Sequence, residues 1–509
     1  MARREPLPRS AAGDRNPWLI AVVVSIATFM EVLDTTIANV ALRHIAGSLG
    51  ADQDESTWIL TSYLVSNAIV LPVSGWLANV LGRKRFYMMC VATFTFASFL
   101  CAMSTSLSMI LAARVLQGVG GGGMAPAEQS MFADTFPPEK RAQAFALYGL
   151  TVVSAPAIGP VLGGWLTDNL SWHWVFLINI PVGLLSLTLV QWLVVEPEVL
   201  QQERKERLAK GLDIDLLGLV LVVIGFGALQ IMLDRYEQDD GFGSGFITTL
   251  AVLSGTALVS LVVWELIHPH PVVNVRLLGY KNFAVSCGLM FLIGFVLIST
   301  TQLLPQLTQS LLGYDATTAG MTLGVGGIAT LVLMPVSGIV TGRIIQPKWL
   351  IGVATVGMGL AMLHAATLNL DINFWTVSTA RVIQVIWLPF LFIPISAVSY
   401  IGMPPNRNNE ASAIFNLMRN LGGSVGVSFV TTMLVERTQF HHARLAEHIT
   451  AYNGYGWGVP LAPINAIVQT QASVMSYLDV FWVLGLLALV VSPAVLLLPR
   501  VPKGAAIGH

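Results

Sequence analysis

Stretches of about 20 apolar residues recur along this whole 509-residue chain, and a helix of that length matches the hydrocarbon thickness of a bilayer. The runs are too long for buried strands, so each is expected to be a spanning helix. Breaks at Pro, Gly and charge clusters place spans near 17–42, 58–78, 86–104, 108–131, 143–167, 174–195, 213–233, 246–267, 283–305, 317–340, 350–368, 375–399, 411–434 and 479–498, fourteen in all. Only 11% of residues are charged, against roughly 25% in soluble domains, which excludes a soluble globular fold. The expectation is an all-α integral membrane protein. Cys90, Cys101 and Cys287 all fall inside apolar runs; they are neither paired nor spaced as metal ligands and read as packing residues, with no metal site expected.

Lysine and arginine fix the orientation. With the N-terminus in the cytoplasm, 20 of the 27 basic residues fall on the inside and four, Arg43, Arg235, Arg437 and Arg444, on the outside. The other three, Arg114, Arg381 and Arg419, lie within spans. The positive-inside rule therefore puts both termini in the cytoplasm. The basic segment 1–16 reads as a retained tail, because the apolar run after it is too long for a signal-peptide core.

The chain repeats itself. LPVSGWLANVLGRKR (71–85) resembles MPVSGIVTGRIIQPK (334–348), and RVLQG (114–118) resembles RVIQV (381–385), at offsets of 263 and 267 residues. Two matches in one order at nearly one offset indicate duplicated six-helix bundles, 17–195 and 283–498. Segment 196–282 then holds a charged cytoplasmic linker, two inserted spans and the loop after them. A periplasmic excursion occupies 435–478, and 499–509 form a cytoplasmic tail. Duplicated bundles with binding residues between them are the plan of an alternating-access carrier. Enzyme readings weaken correspondingly: H-E-x-x-H and a P-loop are both missing, and Gly120 to Gly123 lie within a span rather than after a strand. No nucleic-acid partner is expected.

Within the first span, FMEVLDTTIANVAL (29–42) carries Glu31 and Asp34. The two share roughly one helix face and sit about 20 to 24 Å from its cytoplasmic end. Acids are expensive in hydrocarbon and mark proton relays or substrate paths. Low-dielectric surroundings disfavour an acid's charged form, and a second acid one turn away disfavours it further. Such a pair can hold a proton and release it when the cavity changes face. Asp34 is the principal candidate and Glu31 its partner or a contact for cationic substrate; the alternative is that Asp34 merely ties helices together. Arg114, an intramembrane cation needing a carboxylate, carbonyl or water, is the residue expected to answer them. Gln117 and Asn39 lie near enough in sequence to line the same cavity. Glu128 is either a lower proton relay or an interfacial carboxylate.

Seven motifs in order carry a family resemblance: LDTTIANVAL, GWLANVLGRKR, RVLQG, APAIGPVLGG, WHWVFLINIPVG, LQIMLDR and RNLGGSVG. Across essentially its whole length the chain resembles the fourteen-span drug:proton antiporters of the major facilitator superfamily, the EmrB-like pumps among them. The resemblance implies a major facilitator fold and export of hydrophobic or amphiphilic drugs driven by inward proton flow, with the proton gradient as energy source and no cofactor. It implies a bacterial inner membrane, an EmrA-like periplasmic membrane-fusion adaptor and a TolC-like outer-membrane channel. A dedicated exporter of one metabolite, siderophore or self-made antibiotic on the same fold is the alternative.

The resemblance also assigns roles. Arg114 would gate proton release by changing partners. GWLANVLGRKR is the cytoplasmic gating motif, with Gly75 and Gly82 allowing close approach and a tight turn beside Arg83 and Lys84. Where the superfamily pattern has Asp, this chain has Asn79, and Glu410 is expected to supply the missing carboxylate to Arg83. APAIGPVLGG holds the antiporter motif, Pro156, Gly159, Pro160, Gly163 and Gly164, where proline bends the helix and glycine admits a neighbour. For the substrate cavity, a mix of apolar, aromatic and polar walls suggests Gln302, Gln306, Trp387, Phe390, Phe415, Asn416 and Arg419. Arg381 and Arg419 would favour anionic or neutral compounds, Glu31 cationic ones. Residues 436–477 are expected to help dock the adaptor, with the histidines of FHHARLAEH solvated.

Overall fold

A computed structural model describes residues 16–196, 201–202, 204–205, 214–341, 344–369, 372–404, 407–449 and 461–498. The expectations for the N-terminal tail, most of the charged linker and the C-terminal tail lie outside these residues. Among the described residues the secondary structure is helical, with no β-strand.

Helices α1 (Pro17–Leu49), α2 (Gln53–Leu81), α3 (Arg83–Ala102), α4 (Leu107–Gly121), α5 (Met124–Thr135), α6 (Pro138–Asn169), α7 (His173–Leu177) and α8 (Asn179–Leu193) come first. The inserted pair follows, α9 (Leu216–Arg235) and α10 (Gly245–Ile267). Then come α11 (Lys281–Leu311), α12 (Ala316–Val340), α13 (Pro347–Ala365), α14 (Phe374–Val385), α15 (Leu388–Ser399), α16 (Asn408–Ala446) and α17 (Leu461–Val491). Local signals set the ends. The Asn16 side chain caps α1, which stops at Gly50 in the left-handed region, and Asp52 and Glu55 form a reciprocal capping box on α2.

Eleven of these segments are long and apolar enough to cross a bilayer, and twelve if α6, bent by 40° between Lys140–Pro156 and Ile158–Asn169, is one span. The expected fourteen are therefore not reached on apolarity. The two that fall short are helical but polar. The span near 108–131 breaks at Gly122 and Gly123 into α4 and α5 and carries Arg114, Gln117, Glu128 and Gln129. The span near 411–434 lies in α16 with Asn416 and Arg419. Their polar residues face protein rather than lipid: Arg114, Gln117, Glu128, Gln129 and Asn416 are all buried. Large apolar side chains such as Val259, Ile328, Val353 and Val490 are instead exposed on the outer faces, the arrangement a lipid solvent favours.

The described residues of the excursion expected at 435–478 are mostly helical. α16 continues without a break to Ala446, and α17 begins at Leu461, earlier than expected. His441 is buried rather than solvated, 2.7 Å from Asp479 Oδ2, which also accepts from Arg437 Nε at 2.6 Å. His442 is exposed and meets Asn465. The inserted pair packs on itself and, through α9, on α2 and α16. Thr61 bonds Asp234, Ser424 donates to Gln230 at 3.0 Å, and the Arg235 guanidinium lies 5.3 Å over the Trp58 ring.

Candidate functional site

Asp34 is buried where α1 faces α3, α4 and α8, and a guanidinium and two amides donate to its carboxylate. Arg114 Nη1 donates to Oδ2 at 2.7 Å. Asn179 Nδ2 and Gln117 Nε2 donate to Oδ1 at 2.6 and 3.0 Å. Ser98 Oγ accepts from both amides, at 2.9 Å from Gln117 and 3.3 Å from Asn179. Arg114 spends its remaining donors locally, Nε on the Ile59 carbonyl at 3.1 Å and Nη1 again on Gln117 Oε1 at 2.7 Å. Its guanidinium lies 4.5 Å over the Tyr63 ring, a cation–π contact strengthened by dryness. A buried ion pair so fully hydrogen-bonded is tolerable, but losing either charge strands the other.

Gln117 therefore belongs to this cluster and not to a substrate cavity, correcting its expected place: three residues beyond Arg114, its side chain turns back to the Asp34 carboxylate. Asn39 is exposed, one and a half turns beyond Asp34. Glu31, half-buried, accepts from Tyr63 Oη at 2.7 Å and Asn67 Nδ2 at 3.4 Å. Tyr63 thus touches both acids' surroundings, bonding Glu31 with its hydroxyl and facing Arg114 with its ring. Glu128 is fully buried and accepts from Ser25 Oγ at 2.6 Å; the interfacial reading fails because the break before α5 keeps this residue inside the protein, against α1.

At the end that the charge count assigns to the cytoplasm, α2 and α5 meet α16. Asn79 Nδ2 donates to Glu410 Oε1 at 3.1 Å, and Asn409 Nδ2 donates to Asn79 Oδ1 at 2.5 Å. Ser130 bonds Asn409, Asn408 donates to Asp134 at 3.0 Å, and Ser412 donates to the Pro126 carbonyl at 2.8 Å. Deeper in, Asn416 and Gln129 exchange amide bonds, Asn416 Nδ2 donating at 2.9 Å, and Arg419 Nη1 donates to Tyr148 Oη at 2.7 Å. The early and late helices are closed on each other at this end.

The gating expectation is corrected in its partners. Arg83 forms its ion pair with Asp134, not with Glu410, because Asp134 at the end of α5 faces the start of α3. Glu410 does reach Asn79, and its other oxygen takes Arg407 Nη1 at 2.8 Å and Asn274 Nδ2 at 2.7 Å. Lys84 donates to the Gln191 carbonyl. Gly82 has φ +90°, where a side chain is strained, and a Cβ on Gly75 would stand 2.8 Å from the Glu410 Cα, so α2 and α16 touch backbone to backbone.

In the bent α6, Pro156 and Pro160 lie inside the helix. A Cβ on Gly159 would strike Thr36, and one on Gly163 would stand 3.0 Å from Ile37; the motif packs against α1 one turn from Asp34. Gly164 meets nothing closer than Thr317 at 3.9 Å and takes no part in that contact. Of the substrate candidates, Gln302 and Gln306 are exposed. Gln306 borders a cleft of about 510 Å³ with Leu434, Thr438, Gln469 and Tyr477. Trp387 and Phe390 are half-buried and Arg419 is held by Tyr148. Phe415 and Asn416 are buried in the contact between early and late helices rather than lining open space.

Asn179, Ser98 and Tyr63 were not singled out by the sequence. Asn179 stands in WHWVFLINIPVG as the polar residue that starts α8; a lone amide in an apolar motif was the available signal.

The Major Facilitator Superfamily profile matches residues 24–427. The chain is 38% identical over 439 residues to the multidrug export protein EmrB of Haemophilus influenzae, covering 86% of this chain and 84% of that one. To EmrB of Escherichia coli K12 it is 37% identical over 436 residues, covering 86% and 83%. To the fatty acid resistance protein FarB of Neisseria gonorrhoeae it is 34% identical over 489 residues, covering 94% and 95%. Among solved structures it resembles a double-tryptophan mutant of XylE, with a TM-score of 0.62 at 14% identity, covering 96% of this chain and 97% of that one. It also resembles the human organic anion transporter MFSD10, with a TM-score of 0.61 at 13% identity, covering 93% and 100%. At those identities the solved structures speak to fold alone.

Proposed function

The chain belongs to the major facilitator superfamily, among its EmrB-like multidrug transporters, and on that premise we propose that it is a proton-coupled efflux antiporter exporting hydrophobic and amphiphilic toxic compounds by alternating access. Relatives named for multidrug export and for fatty acid resistance support a broad amphiphile range. The observation that carries the proton coupling is the buried Asp34–Arg114 pair at 2.7 Å.

Asp34 has one cation and two amides holding its charged form. A proton arriving from outside cancels that charge and takes away Arg114's counter-ion, leaving Gln117 and the Ile59 carbonyl as its partners. Because Gly159 and Gly163 press α6 against α1 within a turn of Asp34, a shift of α1 on protonation is passed to the bent helix. Closure at the Asn79, Asn409 and Glu410 end opposes inward opening until that happens. Glu31 and Glu128, both on hydroxyl donors, lie along the route toward the cytoplasm as relay positions.

The chain would sit in the bacterial inner membrane with both termini cytoplasmic, working with an EmrA-like adaptor and a TolC-like channel. The extensions of α16 and α17 beyond the expected span ends offer the surface for the adaptor. The test is drug-provoked proton release from inside-out vesicles carrying a pH gradient. Intact protein should release protons on drug addition and Asp34→Asn should not; equal release from both ends the proposal.

A further inference from the structure

The Asp34 cluster has a counterpart in the second half with its carboxylate missing. The 267-residue offset between the two RV-x-Q motifs relates Arg114 to Arg381 and Gln117 to Gln384, and carried to the first span of each half it relates Asp34 to Thr301. The geometry repeats as far as those residues allow. Arg381 Nη1 donates to Gln384 Oε1 at 2.7 Å, as Arg114 Nη1 does to Gln117 Oε1 at 2.7 Å. Where Arg114 meets the Asp34 carboxylate, Arg381 meets two hydroxyls, Thr301 Oγ1 at 3.0 Å from Nη2 and Thr300 Oγ1 at 3.2 Å from Nη1. Where Arg114 Nε bonds the Ile59 carbonyl, Arg381 Nε has no partner among the described residues. Gly326 stands beside the Arg381 stem, and a Cβ there would lie 2.8 Å from Arg381 Cγ.

Arg381 is 6% exposed, and no carboxylate among the described residues pairs with it. A guanidinium keeps its charge at any working pH, and one this buried without a counter-ion is costly. Thr301 is only half-buried, which leaves an approach. The Thr301 and Thr300 hydroxyls already donate to the Leu297 carbonyl, at 2.7 and 3.2 Å, so a carboxylate would take their place on Nη2 and Nη1 and use the open Nε, the forked recognition a guanidinium offers.

We propose that Arg381, Thr300, Thr301 and Gln384 form a site for the carboxylate head group of an exported amphiphile, the visiting anion taking the place that Asp34 holds permanently in the other half. The proposal rests on the reading of the chain as an amphiphile exporter and adds a charge preference to it. One half then keeps its carboxylate resident for protons; the other leaves the position open for cargo.

The test is equilibrium binding of the fluorescent carboxylate dansylaminoundecanoate and of its methyl ester to the full chain in nanodiscs at neutral pH, with no gradient. The acid should bind about tenfold or more tighter than the ester, the range of a charge-assisted bond. Arg381→Gln should erase that preference, bringing the affinities for acid and ester together. Thr301→Asp should erase it too, by installing the arginine–aspartate pair that the other half already folds around, so this variant remains informative even if Arg381→Gln misfolds. Equal affinity for acid and ester in the intact protein, or a preference that survives Thr301→Asp, overturns the proposal. So does displacement of the probe by chloride alone, which would make this an inorganic anion site. Because binding is read without a gradient, failure here leaves proton antiport standing, and loss of antiport leaves this result intact.

Discussion

Asn274 donates a 2.7 Å hydrogen bond to Glu410, joining the loop after the inserted helices to the first turn of α16. The other oxygen of the same carboxylate accepts from Asn79 at the end of α2. Glu410 is thus held by three segments, including one that the duplicated halves do not share. The inserted pair is thereby tied to the closed end of the carrier.

Removing that acceptor should loosen the closure. Glu410→Ala is expected to raise the alkylation rate of a Ser130→Cys reporter about tenfold, from loss of bonds to a charged acceptor worth roughly 1.5–3 kcal/mol each. Asn274→Ala should act in the same direction and more weakly. Cys90, Cys101 and Cys287 are all buried, so the native background is low. An unchanged rate in Glu410→Ala would mean that the carboxylate does not hold this end shut.

The Asp34–Arg114 pair makes a second, thermodynamic claim. Each single substitution, Asp34→Asn or Arg114→Gln, should destabilise the protein by about 3–5 kcal/mol, because it strands a buried charge. The double variant should be markedly more stable than the sum of the two. Thermal unfolding of all four proteins in detergent gives the coupling; additive losses would show that the two residues do not support each other.

Asn179 sets a third expectation. It supplies the 2.6 Å bond to Asp34 Oδ1 and is buried. Asn179→Ala should lower gradient-driven transport in vesicles about tenfold, the scale of a charge-assisted bond, with drug binding in the absence of a gradient unchanged. Equal loss of both would make Asn179 a packing residue.

The antiporter motif divides into contacts and a bystander. Gly159→Ala pushes a methyl into Thr36 and should cut transport several-fold. Gly164→Ala meets ordinary van der Waals space and should stay within about 0.5 kcal/mol in stability and near wild type in drug-resistance assays. Similar loss in both would remove the α1 contact as the motif's role.

The apolar runs made the helical fold legible, and the costly charges Asp34 and Arg114 announced themselves because an ion in hydrocarbon needs a reason. What stayed hidden was pairing at a distance. Arg83 finds Asp134, 51 positions on, through the break between α4 and α5, and nothing local in either segment signals it. Asn179 and Ser98 are single polar residues in apolar helices, indistinguishable in sequence from many that bond only their own backbone, as Thr95 does to the Val91 carbonyl. The length of α16 was missed because its stretch beyond 434 is polar, and hydropathy sees only the part of a helix that lipid would touch. The spans near 108–131 and 411–434 failed in the opposite sense: they were placed as apolar runs between breaks, yet neither is apolar enough to count as a crossing helix.

The bonds that close α2 and α5 against α16 pair amides and hydroxyls with amide oxygens, carbonyls or the carboxylates of Glu410 and Asp134, and none of these bonds joins two opposite charges. Counter-ions weaken attraction between opposite charges at a surface but do little to an amide facing an amide in a buried seam. A seam latched in this way depends less on dissolved salt than one held by exposed ion pairs would.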